Sequence, residues 1–471
     1  MNPAPIDPAV DARSLQGTAL AAALLDSRQR TLARVQDLSA AQWLPPCQLG
    51  VNPIAWELAH IAWFAEFWIL RGPHTLDAQG FTQAALPARH AGPDAHLNSA
   101  CLAHAQRWQI TWPACDQVFG MLAGQLEACL AALKGISSDA ACSPQASYFY
   151  RLALFHEDMH AEAFCWLRAA LGYPAPAGVV MPKVSARLRL SLSAAVFCLG
   201  QDSAGTGFVF DNEDPPRPVT LRAFEIDSAP VSAGDFLEFV SAGGYQNTKF
   251  WPGQAGQWRA KSAQAHPARW RCTPQGDWQT RWFDQWLALP EDAPVLHVNA
   301  YEAQAYCLWA GRRLPTAAEW EYAACSHDDF GWGSSVWEWT ADDFVAYPGF
   351  TPGPYREYSQ PWFGSHRELR GGSFATHARM QHPRYRNFFE PHRTDVFAGF
   401  RTVAIERFQF NQTKGLLLGS DSQGLMLSKN TFVIHEPPPH SDRQPSHCRC
   451  QQRQLADRRA LGALVAALVC L

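Results

Sequence analysis

No two of the thirteen cysteines form a Cys-x-x-Cys pair, and an odd number scattered through 471 residues offers no disulfide framework. The thiols read as reduced and mostly buried. Charge is also scarce: Asp, Glu, Lys and Arg make up 17% of the chain, the net charge is −4, and basic residues never gather in runs. A broad electrostatic surface for nucleic acid is therefore excluded. The start, "MNPAPIDPAV", lacks the cationic stretch and apolar core of a signal peptide, and the last apolar run, Leu461–Leu471, falls short of the roughly 20 residues that span a bilayer. The expectation is a cytoplasmic protein with small-molecule partners and no membrane partner.

What the chain has in quantity is apolar surface, 47% hydrophobic with 19 Trp and 27 Phe, enough for two packed domains. Four helical stretches are predicted, over 14–38, 52–71, 114–134 and 146–171, and an antiparallel four-helix bundle is the simple reading. The second opens "NPIAWELAHIAWF", with Asn52 as expected N-cap and Pro53 at the first helical position, and it is apolar on nearly every face. It must be buried. "GYPAPAGVVMPKV" reads as a linker, and a second, loop-rich α+β domain stapled by aromatic packing follows from near residue 182. Its evident helical patterns are "NAYEAQAYCLWAG" and "TAAEWEYAA". Residues 405–471, Pro-rich and then Ala/Leu-rich, are expected to be an atypical, disordered tail.

"FHEDMHAEAF", residues 155–164, holds His156 and His160 at i and i+4, on one face of a helix, where two imidazoles can reach one metal ion. The His-Glu-x-x-His order suggests a zinc protease. The extended form of that motif needs Gly and His where this chain has Ala163 and Trp166, and beyond Glu162, which faces wrongly, the next acid is Asp202, past the linker. A better third ligand is His60, mid-helix in an apolar segment that holds an unpaired imidazole poorly. In a bundle the second and fourth helices both face the core, so His60 can meet the pair. The bland reading of His60 is a core histidine bonded to backbone or to Glu57. Three neutral nitrogens leave an iron(II) ion open positions for dioxygen and substrate, with Glu157 and Glu162 as supporting groups or helix-surface charges.

The stretches "AHIAWF", "FHEDMHAE", "RLPTAAEWEYAA", "VWEWT", "LRGGSF", "YRNFFEP" and "AGFR" follow one another along the chain. In them, residues 15–403 resemble the nonheme iron sulfoxide synthases of ergothioneine biosynthesis, most of all the selenoneine synthases, which share "LALFHEDMHAEAF", "AHAQRW"-type and "YRNFFEPHR" stretches. The resemblance implies a DinB-like four-helix bundle (14–175) followed by a formylglycine-generating-enzyme-like, C-type-lectin-like α+β domain (182–404). It implies His60, His156 and His160 as iron ligands and Tyr355 as the active-site tyrosine that supplies a proton or hydrogen atom, with Tyr358 as a rival. Asn387 and Phe388 match the pair that cradles the trimethylammonium group of hercynine, the Nα-trimethylated histidine.

Two departures bear on substrate. Phe389 stands where enzymes using γ-glutamylcysteine have an aspartate for the donor's amino group, and Met159 where a glutamine helps to hold hercynine. Loss of that carboxylate argues against cysteine or γ-glutamylcysteine as donor, and the resemblance to the selenoneine synthases implies a selenosugar in its place. Arg107 and Arg393 are left as donor-binding or structural cations. The expected reaction is iron(II)- and O2-dependent bonding of selenium to C2 of hercynine with oxidation to the selenoxide. A thiol-using sulfoxide synthase is the first alternative. The zinc protease, a formylglycine-generating enzyme and a noncatalytic binding protein rank below it, the second because Cys307 and Cys325 lie in helical patterns away from "YRNFF".

Overall fold

The computed structural model describes residues 11–48, 50–138, 144–205 and 207–405, and the tail expected over 405–471 lies outside them apart from its first residue. The first half contains α1 (Gly17–Ala33), α2 (Ile54–Leu70), α3 (Cys115–Ser138) and α4 (Tyr148–Leu171). α2 packs against α3 and α4, and α1 packs against α4 and α3, making a four-helix bundle. Every residue of α2 from Ile54 to Trp68 is buried, as its all-round apolar sequence requires. Within α3, Cys115–Ile136 is long and apolar enough to cross a membrane by length and composition alone; it lies in the bundle against α1 and α2.

The entry to α2 differs from expectation. Pro53, not Asn52, is its N-cap, and no side chain caps the helix. The Asn52 amide is used elsewhere: its Nδ2 donates to Glu57 Oε1 (2.9 Å) and its Oδ1 accepts from Arg107 Nη1 (2.6 Å). α4 ends at Gly172 in the left-handed region (φ 69°), where any Cβ would also collide with the Arg281 guanidinium.

Two four-stranded sheets organise the second half. One, from β1 (Arg189–Leu192), β2 (Phe224–Asp227), β3 (Arg312–Arg313) and β8 (Val403–Ala404), runs in the order β3–β8–β2–β1, all antiparallel. The other, from β4 (Trp337–Asp343), β5 (Arg367–Gly371), β6 (Asn387–Phe389) and β7 (Ala398–Gly399), runs β6–β5–β4–β7, with β4 and β7 parallel. The helices α7 (Ala300–Trp309) and α8 (Ala317–Ser326) fall on the two expected patterns, each opened by a capping box, Asn299/Glu302 and Thr316/Glu319. Two more, α5 (Ala233–Ser241) and α6 (Gln254–Ser262), go beyond expectation.

Aromatic packing is not the only staple. Arg370 sits between Glu321 (2.9 Å) and Glu368 (2.7 Å), Arg386 also pairs with Glu368 (2.7 Å), and Arg401 pairs with Glu338 (2.5 Å), all fully buried. Much of the chain's sparse charge is thus spent inside. Glu162 of α4 accepts from Trp337 Nε1 (2.8 Å), Ser373 Oγ (2.6 Å) and Thr376 Oγ1 (2.6 Å), and Arg13 pairs with Glu213 (2.5 Å), so the bundle and the α+β half share a packed interface.

Candidate active site

α2 presents His60, and α4 presents His156 and His160 one turn apart, so the three imidazoles converge. One nitrogen from each lies within 4.8 Å of the other two, and His156 Nε2 and His160 Nε2 are 3.3 Å apart. All three are buried. The proton positions follow from the partners. His60 Nδ1 is 2.7 Å from the Leu97 carbonyl and His160 Nδ1 is 2.7 Å from Glu57 Oε2, and because those oxygens only accept, both Nδ1 atoms carry hydrogen. Both Nε2 lone pairs therefore face the cluster. His156 Nδ1 is buried without a hydrogen-bond partner among the described residues, and its ring is stacked on Phe64 at 3.6 Å and 5°.

Burial drives the pKa of His60 and of His156 well below the ordinary histidine value, and neighbouring positive charge adds to this. Lone pairs crowded together on imidazoles that resist protonation fit a divalent metal ion, for which neutral imidazole is a good ligand. His60 thus has the backbone bond of the bland reading and the convergence of the metal reading at once.

Beside the cluster, a cleft opens between α4 and the α+β half. Asp158, Met159, Glu162 and Trp166 line it from the helix, and Tyr355, Tyr358, Asn387, Phe388 and Phe389 from the other side. The structure therefore brings Met159, Tyr355, Asn387, Phe388 and Phe389 together. Tyr355 lies edge-on to Phe64 (5.0 Å), the ring that stacks on His156, whereas Tyr358 turns its hydroxyl to Tyr385 Oη (2.9 Å). Of the two tyrosines, Tyr355 is thus the one next to the histidines. Burial pushes its pKa up, which keeps the hydroxyl protonated. Tyr385 Oη in turn donates to Met159 Sδ (3.5 Å), and Phe388 is stacked on Phe344 (4.1 Å).

Both arginines stand apart from the cleft lining. Arg107 is buried, with its guanidinium carbon 3.9 Å from the Trp56 ring centre and a hydrogen bond to Asn52. Arg393 forms a bidentate pair with Asp395 and lies 5.0 Å from the Phe389 ring and 5.3 Å from that of Trp166. Glu157 is taken up by Arg28 (2.7 Å), and Glu162 by its three donors across the interface. Three contributors escaped the sequence reading: Phe64, the Leu97 carbonyl, and Glu57 as partner of His160 rather than His60. Glu57 and Phe64 do lie one helical turn either side of His60, the one signal available.

The comparisons with known proteins agree with this architecture. A DinB superfamily model matches residues 23–164, and a sulfatase-modifying factor enzyme 1-like model matches 182–336 and 332–405. The hercynine oxygenase of Mycobacterium tuberculosis is 31% identical over 81% of this chain and 97% of its own length, and that of Mycolicibacterium thermoresistibile 30% identical over 81% and 94%. The formylglycine-generating enzyme of Streptomyces coelicolor is 28% identical over 44% of this chain and 87% of its own. A DinB-type helical domain followed by a sulfatase-modifying-factor-type domain of mixed helix and sheet defines the class, a two-domain oxidoreductase. Within that class, the chain belongs to the hercynine oxygenase family.

Proposed function

We propose that this chain joins the selenium of a selenol-bearing sugar to C2 of the hercynine imidazole and oxidises it to the selenoxide, using iron(II) and dioxygen. The reaction balances: the ring C–H and the Se–H are lost, a C–Se and an Se–O bond form, and O2 takes up four electrons to give the selenoxide oxygen and water. His60, His156 and His160 would hold the iron, which supplies the means of activating dioxygen. The convergence of these histidines beside a cleft lined by Met159, Tyr355, Asn387, Phe388 and Phe389 is the observation that carries this reading.

Each remaining role falls to a residue of the cleft. The trimethylammonium group of hercynine cannot donate a hydrogen bond, so the Phe388 face with Asn387 beside it is a fitting partner. Tyr355 holds a proton at Oη for the reacting centre, and the aromatic walls exclude water. No Lys or Arg is among the described lining residues, and a sugar donor needs no counter-charge there. We also take 14–175 and 182–404 as the two domains, and the cytoplasm as the site of action.

The test is anaerobic reconstitution with iron(II), followed by oxygen uptake with hercynine plus selenosugar, thiosugar, cysteine or γ-glutamylcysteine. Uptake dependent on hercynine and fastest with selenosugar is expected. Absence of hercynine-dependent uptake with every donor would overturn the reading, and preference for γ-glutamylcysteine would turn it into the thiol-using alternative.

A further inference from the structure

Glu57 is fully buried near the start of α2, and among the described residues its carboxylate bonds an amide and an imidazole: Asn52 Nδ2 at 2.9 Å and His160 Nδ1 at 2.7 Å. A buried carboxylate left with two neutral partners is costly unless positive charge lies close behind one of them. On the Asn52 side that charge is Arg107, whose Nη1 donates to Asn52 Oδ1 at 2.6 Å. The Asn52 amide can sit only one way round, since arginine only donates and carboxylate only accepts. Beyond His160 lies the three-histidine cluster. The Arg107 guanidinium carbon also lies over the Trp56 ring at 3.9 Å, and Trp56 stacks on His60 at 4.7 Å and 10°. One buried cation thus reaches two of the three histidines, by a hydrogen-bonded route and by a stacked one.

We infer that Glu57 is a positioning residue for metal binding, held in place by Asn52 and Arg107: it fixes the His160 ring with Nε2 toward the metal. This rests on the three-histidine reading of the site and assigns Arg107 to the metal side of the fold rather than to the sulfur or selenium donor. Partners of this kind behind a ligating histidine affect metal affinity by about 10- to 100-fold. Glu57→Gln keeps the shape, removes the charge, and sets an NH2 group against either Asn52 Nδ2 or His160 Nδ1.

The experiment measures iron(II) affinity under anaerobic conditions by competition with a chromogenic chelator, and the visible spectrum of the cobalt(II)-substituted protein, for wild type, Glu57→Gln, Glu57→Asp and His160→Ala. The inference expects folded Glu57 variants with at least about 10-fold weaker iron(II) binding and a shifted cobalt spectrum. Wild-type affinity and spectrum in both Glu57 variants would overturn it, as would unfolding of both even with metal present, which would make Glu57 structural. If wild type itself binds neither metal, the three-histidine reading fails and not the positioning role alone. Arg107→Lys supplies a separate check: weaker metal binding at unchanged donor KM is expected, and a raised donor KM at unchanged metal affinity would return Arg107 to the donor.

Discussion

The Tyr355 and His156 rings are separated by a single ring, that of Phe64, flat on the imidazole at 3.6 Å and edge-on to the tyrosine at 5.0 Å. A proton source held this near the histidines, with its pKa raised by burial, suits transfer late in a reaction better than spontaneous ionisation. Tyr355→Phe is therefore expected to lower kcat by about 100-fold or more while leaving iron(II) binding and the hercynine KM near wild type, read by steady-state oxygen uptake and chelator competition. An unchanged kcat would hand the role to Tyr358. For Phe388→Leu, loss of a cation–π contact of about 0.5–2 kcal/mol should raise the hercynine KM by about 2- to 30-fold with kcat little moved. The histidines were legible in the sequence because i, i+4 spacing on a helix is a geometric statement. Glu57 and the Leu97 carbonyl were not, because which oxygen meets which imidazole is set by the packing of elements far apart in the chain.

Among the elements, α2 and α4 were the plainest to read: one is apolar all round and therefore central, and the other combines its histidine pair with a regular apolar pattern. α5 and α6 went unread, although Ser232 and Asp235 form a capping box for α5, because nine-residue helices carry barely two turns of pattern. The buried ion pairs were invisible as well, since an arginine and its carboxylate can lie far apart in sequence. One such pair ties α1 to α4. Arg28 of α1 bonds both carboxylate oxygens of Glu157 (2.7 and 3.2 Å), Gln125 Oε1 (3.0 Å) and the Leu122 carbonyl. Arg28→Ala leaves Glu157 buried and unpaired, with an expected loss of about 3–5 kcal/mol of stability in urea unfolding. Adding Glu157→Leu should recover a large part of it, and a single-variant loss under about 1 kcal/mol would show the pair to be solvated.

At the scale of the whole molecule, acid should loosen the fold through three imidazoles in the α+β half. Burial, aided by Arg393, holds His366 down at about 4, and burial with Arg379 and with Arg13 holds His377 and His382 at about 3. Each prefers to be neutral when folded and titrates near 6.5 when unfolded. Their contribution is therefore whole above about pH 6.5 and is lost as the pH falls toward 4 and then 3. The Tm of His382→Asn should fall less than that of wild type over that window; equal falls in the two proteins would refute the assignment. The two halves meet at Glu162 and around the cleft, so the site belongs to neither alone. Its chemistry is tested most directly by mass spectrometry of an aerobic incubation of the iron(II)-loaded protein with hercynine and the selenosugar. The account expects a hercynine-derived product carrying selenium, absent without iron or without oxygen. Hercynine recovered unchanged from protein with a full complement of iron would contradict it.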